Sequence, residues 1–248
     1  MILLETERYI AVEKEPGVSM ATRPGDPLAE ERVIAALGLA DWPGLRLIHR
    51  LDVGTSGIVL LARDAEAHRA ASRMFQERTV RKTYRAIAWG HPVPARGTID
   101  RPLAMDRDDR RRMRVAPDGK SAITAYATLE RLPSIAHVEL VPATGRTHQI
   151  RVHLASLGHP IVGDDLYGGP RWRGVRDPAF RRHLSGPLAL MLHAAELSWD
   201  DPVTGEPVVI RSAEPPRFGA LLDAARRSRV RGLRGAPRGR NSPGAKTE

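Results

Sequence analysis

The chain lacks cysteine and long apolar runs, and each absence excludes a class of protein. With no cysteine among 248 residues, it cannot form disulfides, cysteine-ligated metal sites or a thiolate nucleophile. Apolar runs such as residues 58–62 are far shorter than the roughly 18 residues of a membrane helix. Glu5 interrupts the apolar residues 1–4 before a signal-peptide core can form. We therefore expect a cytoplasmic protein with no membrane association.

Aromatic residues make up only 4% of the chain, but hydrophobic residues reach 42% and charged residues 27%, which is ordinary for a globular domain. The net charge of +10 is uneven, because residues 226–248 hold seven Arg and one Lys against one Glu, or +7, which leaves +3 for residues 1–225. We expect one folded domain over residues 1–225 and a disordered Arg/Gly-rich basic tail over residues 226–248. The tail either contacts nucleic-acid phosphates or is a solvated terminus with no partner.

Hydrophobic periodicity and turn residues predict more strands than helices, without regular alternation. This pattern favours an α+β fold with a mainly antiparallel central sheet and flanking helices. We expect helices over residues 29–37, 64–78 (with Asp64 as the N-cap) and 147–157. The expected strands are residues 9–12, 58–62, 82–89, 123–129, 135–141, 188–192 and 208–210.

Three polar residues stand out from the pattern, although spacing alone leaves each ambiguous. Asp52 precedes a glycine-containing loop at the mouth of the strand over residues 58–62, where an Asx turn is the plain structural alternative. Arg146 is expected at a helix N-terminus, where the helix dipole disfavours a cation unless a carboxylate lies nearby. Tyr84 is expected within a strand, where a packing role is commoner than a catalytic one.

Metal and nucleotide sites are not supported by spacing. His148 and His153 are five residues apart and would face different sides of a helix, so they would not chelate one ion together. The tripeptide 119–121 imitates the end of a phosphate-binding loop, but Arg114 stands where the earlier glycine is required. We expect neither a metal nor a nucleotide cofactor.

Five sequence blocks resemble the RluA-type family of RNA pseudouridine synthases and occur in that family's order. They are HRLDVGTSGIVLLA at 49–62, RKTYRAIAWG at 81–90, RMRVAPDGKSAITAY at 112–126, GRTHQIRVHLASLGHPIVGDDLYGG at 145–169 and LHAAELSWDDPVTGEP at 192–207. The resemblance implies a catalytic domain with a cleft across an antiparallel sheet, which agrees with the fold class predicted from periodicity. It also implies isomerisation of uridine to pseudouridine without a cofactor.

The resemblance implies roles for individual residues. Asp52 would be the catalytic carboxylate, Tyr84 would line the pocket against the target base, and Arg146 would pair with the aspartate. Arg50 would help to extrude the uridine, since a stacked base must leave its helix to be modified. The residues expected to contact RNA are Arg50, His49, Thr55, Lys82, His148 and Arg151.

Two other functions stay open at this stage. A non-catalytic RNA-binding or ribosome-assembly protein could share the fold, although Asp52 argues against it. A glycoside hydrolase would need a second carboxylate, for which Asp164 and Asp165 are available, but these acids are more simply loop residues that cap or pair with arginines. We expect a monomer that acts on ribosomal or transfer RNA, with the loop over residues 106–118 as the best candidate for substrate selection.

Overall fold

The computed structural model describes residues 1–21, 29–201 and 204–234. Its helices are α1 (Ala29–Ala36), α2 (Ala65–Glu77), α3 (Gln149–Ser156), α4 (Pro178–Leu184) and α5 (Pro216–Arg234), with a short 3-10 helix at Arg171–Gly174. Its strands are β1 (Ile2–Glu5), β2 (Tyr9–Lys14), β3 (Arg46–Leu47), β4 (Ser56–Ala62), β5 (Arg81–Trp89), β6 (Arg96–Asp100), β7 (Leu103–Met105), β8 (Met113–Val115), β9 (Ile123–Leu132), β10 (Ile135–Pro142), β11 (Leu192–Asp200) and β12 (Pro207–Arg211). The α+β prediction is confirmed.

Ten of these strands form one sheet in the order β1-β2-β4-β11-β5-β10-β9-β6, with β3 paired to β4 and β12 paired to β11. The pairing of β4 with β11 is parallel, and the other pairings described in this sheet are antiparallel. Strands β7 and β8 form a separate hairpin. The polar loop before β4 therefore opens at the middle of the sheet, beside β11 and β5.

Helices cover the sheet and complete the core that its strands form. Asp64 caps α2 by accepting the N–H groups of Glu66 and Ala67 at 2.8 Å, as predicted. The buried face of α2, which includes Ala67 and Met74, packs against strands β2, β4 and β11. Helices α3, α4 and α5 bury Leu154, Phe180, Phe218 and other apolar side chains against β5 and β10. Full burial of a large apolar side chain stabilises a fold by about 1.5–3 kcal/mol, so these contacts fix the helices that frame the cleft.

Two predictions about the C-terminal third are corrected. The expected strand at residues 188–192 is a loop up to residue 191, because β11 begins only at Leu192, and a short apolar run does not by itself distinguish a strand from a loop. The expected disordered tail does not begin at residue 226, since α5 continues to Arg234 and the Arg226 guanidinium pairs with Glu130 and Asp223. The rest of the predicted tail, residues 235–248, lies outside the described residues.

Helix α5 was missed, although the sequence carries its signal. Phe218, Leu221, Leu222 and Ala225 follow the spacing of one helix face, and all four are buried.

Within the described ranges, no helix is both long enough and apolar enough to cross a membrane.

Candidate active site

Asp52 lies in the loop between β3 and β4, where the chain turns into the centre of the sheet. The Thr55 N–H donates to the Asp52 carbonyl at 3.0 Å, which closes the turn through the backbone. Gly57 has φ +114°, and a Cβ there would come within 2.3 Å of the Ala194 carbonyl oxygen. Glycine therefore allows β4 to lie against β11 immediately after the turn. The Asp52 side chain is 25% exposed and faces a cavity instead of capping its own loop.

A buried lysine holds this turn from below. The Lys14 Nζ donates to the carbonyl oxygens of Val53, Thr55 and Glu15 at 3.1, 2.8 and 2.9 Å. Lys14 is only 1% exposed, and burial lowers its pKa to about 8, although the nearby Asp52 charge opposes that shift. The two residues Val53 and Thr55, which follow Asp52, are thus anchored to β2 by one ammonium group.

Arg151, in the first turn of α3, forms the ion pair with Asp52. Its Nη1 lies 3.5 Å from an Asp52 carboxylate oxygen, while Nε and Nη2 bind the two oxygens of Asp164 at 2.7 and 2.8 Å. The Asp164 side chain is fully buried and also accepts the N–H groups of Leu166 and Tyr167. Because the bidentate contact with Asp164 fixes the guanidinium plane, Asp52 meets a cation whose orientation is set in advance.

This arrangement differs from the expectation that Arg146 pairs with Asp52. The Arg146 Nε donates to the Ser121 carbonyl at 3.1 Å, and its backbone lies before the start of α3 at Gln149. Helix α3 begins two residues later than the predicted residue 147, since His148 adopts a left-handed conformation with φ 54°. Arg146 lines the same cavity as Asp52, but its guanidinium binds the Ser121 carbonyl and not the Asp52 carboxylate.

Tyr84 lies on β5, between β10 and β11, and its side chain borders the same cavity as Asp52. Burial, with a smaller contribution from the Asp52 charge, raises the Tyr84 pKa well above its usual value of 10.0. The phenol therefore stays protonated at neutral pH. Such a ring can stack on a base and its hydroxyl can donate a hydrogen bond, whereas a role as phenolate base is disfavoured.

The residues expected to contact RNA fall into two groups. Arg50, Thr55, Lys82, His148 and Arg151 all border the cavity around Asp52. His49 does not, because its Nε2 accepts the Leu60 N–H at 3.0 Å and its ring stacks on Phe75. Burial and the Lys82 charge lower the His49 pKa to about 4, so the ring is neutral and positions the loop more readily than it binds phosphate.

Sequence reasoning missed Tyr167, which joins the site to the β7–β8 hairpin. Its hydroxyl accepts the Met113 N–H at 2.8 Å and lies 2.9 Å from Nδ1 of His148. Its ring lies under two guanidinium groups, with Arg112 at 5.3 Å and Arg151 at 5.1 Å from the centroid. The sequence signal that could have identified Tyr167 as a site residue is its position in the fourth sequence block, three residues after Asp164.

The cavity holds about 530 Å³ of empty space, part of it open to solvent, and Asp52 is the carboxylate among the residues that line it. Asp164 is buried behind Arg151 and bonded on both oxygens, and Asp165 faces a different pocket. The described residues contain no cluster of three or more His, Asp or Glu side chains that could hold a metal ion. The site therefore presents one carboxylate, a fixed guanidinium and a phenol within a basic cleft.

Such a site, at the centre of a mainly antiparallel sheet, suits an enzyme that acts on a polyanionic substrate through a single carboxylate. Residues 8–156 match the family model described as RNA pseudouridylate synthase. The chain is 37% identical over 213 residues to "Dual-specificity RNA pseudouridine synthase RluA" of Salmonella typhi, covering 85% of this chain and 91% of that protein. The protein of the same name from Escherichia coli K12 is 35% identical over 214 residues, covering 86% and 92%.

Solved structures agree with the sequence relatives. "Human RNA Pseudouridylate Synthase Domain Containing 1" superposes with a TM-score of 0.70 at 29% identity and covers 96% of both chains. "Human RNA Pseudouridylate Synthase Domain Containing 4" has a TM-score of 0.69 at 28% identity, covering 91% of this chain and 92% of that one. The chain belongs to the RNA pseudouridine synthase family and is an enzyme that forms pseudouridine in RNA. The predicted family and activity are confirmed, and a non-catalytic RNA-binding protein is not favoured.

Proposed function

We propose that this enzyme modifies uridines in more than one structured RNA, with ribosomal and transfer RNA as the candidates, and that Asp52 is its catalytic residue. The observation that carries the assignment is the ion pair between Asp52 and Arg151, which lies in the cavity that Tyr84 borders. This chain covers more than nine tenths of the length of two relatives whose names include the term dual-specificity. That term supports the proposal of more than one RNA substrate.

The reaction breaks the bond between N1 of uracil and C1′ of ribose, and forms a bond between C5 and C1′. The C5 proton leaves, N1 gains a proton, and nothing is oxidised or reduced. An ionised carboxylate can begin the exchange by attacking the sugar, attacking the base or removing the 2′ proton. Each route needs the charged form, which a guanidinium a few ångströms away favours, and Arg151 occupies that position beside Asp52.

The other residues of the cavity suit an extruded base. Unstacking a uridine costs a few kcal/mol, and exposed Arg50 stands beside Asp52 at the rim, where a guanidinium can fill the gap left in the RNA. The neutral Tyr84 ring offers a surface on which uracil can stack. We place Arg146, Lys82 and His148 at the walls, where they contact the nucleotide or its phosphates. Monomeric assembly and cytoplasmic location stay predictions.

Substitution of Asp52 tests the assignment. Asp52→Asn keeps the size of the side chain and removes its charge, so we expect tritium release from RNA labelled at uridine C5 to fall by at least about a thousandfold, while RNA affinity stays within a few-fold. The matched control is Asp41→Asn, since Asp41 is an exposed aspartate outside the cavity. Turnover near that of the wild type in Asp52→Asn would remove Asp52 from the catalytic role.

The substrate proposal is tested separately. Pseudouridines are mapped in ribosomal and transfer RNA from cells with and without the gene, and from cells that carry only the Asp52→Asn form. We expect at least one site to be lost in each RNA class, and equally in both kinds of deficient cell. Loss confined to one class would overturn the proposal of more than one substrate.

A further inference from the structure

A second cavity adjoins the catalytic one and shares a wall with it. It contains about 1300 Å³ of empty space, much of it open to solvent. The residues common to both cavities are Arg50, Lys82, Tyr84, Thr144, Gly145 and Arg146. Away from this wall the second cavity is bounded by the C-terminal end of α2, through Ser72, Phe75, Gln76 and Arg78. A chain that enters the catalytic cavity therefore has room to continue into this one.

The charges around the second cavity are all of one sign. Arg50, Arg78, Lys82 and Arg146 border it, and no carboxylate does. Within the described part of the chain, none of these four cations forms an ion pair. Burial, and to a smaller extent the Arg78 charge, lowers the pKa of Lys82, as expected for two like charges that face one cavity. An anion placed between them would relieve that repulsion.

Arg78 borders the cavity in a backbone conformation that is unfavourable for a residue other than glycine. It ends α2 in the left-handed conformation, with φ 63°, and donates its N–H to the Met74 carbonyl. Glycine is the usual residue at such a position, because a Cβ disfavours positive φ. Strain of this kind at a cavity wall is a signal of function. The Arg78 side chain is exposed and makes no described hydrogen bond.

The base of the cavity also suits a nucleotide. Phe75 carries the His49 ring stacked at 4.9 Å, and the Lys82 Nζ lies 5.8 Å from the Phe75 centroid. Lys82 is thus fixed between the aromatic pair and the catalytic wall, with its charge available to both cavities. A cation in this position can hold the backbone next to a base that stacks on Tyr84.

We propose that the second cavity is a subsite for a backbone phosphate of the RNA, next to the extruded uridine, and that Arg78 and Lys82 bind it. This proposal rests on the proposed function for its occupant, which is a phosphodiester of the substrate RNA. Arg78 is a binding residue that the sequence blocks do not include, since it lies between the first block and the second.

Removal of the Arg78 side chain by glycine gives a sharp test, because glycine fits a φ of 63° better than arginine does. Binding of fluorescein-labelled single-stranded oligouridylate is followed by anisotropy over a series of potassium chloride concentrations. Loss of one phosphate contact lowers the slope of log affinity against log salt by about 0.7 for a single strand. We expect Arg78→Gly to show that decrease, to bind severalfold more weakly, and to melt at the same or a higher temperature. With labelled substrate RNA, the loss falls on KM.

Two variants control for charge and for side-chain identity. Arg73→Ala removes one positive charge from the same helix, at a side chain that is 79% exposed and paired with Glu77 outside the cavity, and should leave the slope unchanged. Arg78→Lys keeps the charge and should keep the slope. An unchanged slope in Arg78→Gly, or an equal decrease in Arg73→Ala, would overturn the subsite. If the wild type released no tritium from any RNA, the proposed function would fail, and the oligouridylate slopes would still decide whether the cavity binds phosphate.

Discussion

Asp164 and Arg151 form a buried pair whose loss should weaken the fold and the reaction together. The Asp164 side chain is fully buried, and that of Arg151 is 12% exposed, with two contacts of 2.7 and 2.8 Å between them. Breaking a buried pair by removing one partner costs about 3–5 kcal/mol, because the other charge stays buried without compensation. At about 2–4 °C per kcal/mol for a chain of this size, Tm should fall by roughly 6–20 °C in Arg151→Met, and by less in Asp164→Asn, where Arg151 keeps Asp52 as a partner at 3.5 Å.

The experiment is a double-mutant cycle with Arg151→Met and Asp164→Asn. Asparagine keeps an oxygen to accept the Leu166 and Tyr167 N–H groups, and methionine keeps much of the arginine stem. Because the double variant has no uncompensated charge, it should recover about 2–3 kcal/mol relative to the sum of the single variants, as measured by urea unfolding. Turnover should not recover with stability, since the double variant still lacks the cation beside Asp52.

The chain offers a matched pair on its surface. Arg111 contacts Asp109 through the same two-pronged geometry at 2.9 and 2.7 Å, but the arginine side chain is 82% exposed. Water and salt screen such a pair, so the cycle with Arg111→Met and Asp109→Asn should give a much smaller coupling. Equal coupling in the two cycles, or a coupling below about 0.5 kcal/mol for the buried pair, would refute the argument from burial.

Two further predictions concern the groups behind the site. The Lys14 pKa is lowered to about 8 in the fold from 10.5, so the unfolded chain holds an extra proton between these values, and the stability that Lys14 contributes grows as pH rises through that window. The difference in unfolding free energy between the wild type and Lys14→Met should therefore increase by up to about 3 kcal/mol across it in urea titrations, and a constant difference would contradict the assignment. Tyr167→Phe keeps the ring under Arg151 but leaves the Met113 N–H without its acceptor, so it should cost about 1–2 kcal/mol and lower kcat more than it raises KM. The control is Tyr126→Phe, because the Tyr126 hydroxyl donates to the Pro94 carbonyl outside the cavity, and this variant should leave kcat unchanged. An equal decrease in kcat in the two variants would show that the role of Tyr167 is only structural.

Local elements could be predicted from the sequence because their signals are local. The Asp64 cap and the helix that follows it are predicted from neighbouring residues, and both are confirmed. The parallel pairing of β4 with β11 was not predictable in this way, because it joins Ser56 to His193 across most of the chain. That pairing depends on Gly57, whose missing side chain matters only once Ala194 is known to lie against it.

The sequence resemblance assigned the pairing with Asp52 to Arg146, whereas Arg151 forms it in the structure. Arg146 and Arg151 stand in one block, and the choice between them depends on where α3 begins. The left-handed backbone of His148 delays the helix to Gln149, so that Arg151 enters its first turn and Arg146 remains in the loop. Residue spacing did not reveal this start, since histidine has no strong preference for that conformation.

The helix-dipole argument that was applied to Arg146 holds for Arg151 instead. A cation in the first turn of a helix opposes the helix dipole, so it needs carboxylates nearby. Arg151 is the third residue of α3, and Asp52 and Asp164 reach it from two different loops. The three groups together carry a net charge of −1, which the positive end of the helix favours. Because Asp164 binds two of the guanidinium nitrogens, Arg151 faces Asp52 with Nη1, so the buried acid fixes the orientation of the cation that lies beside Asp52 before RNA binds.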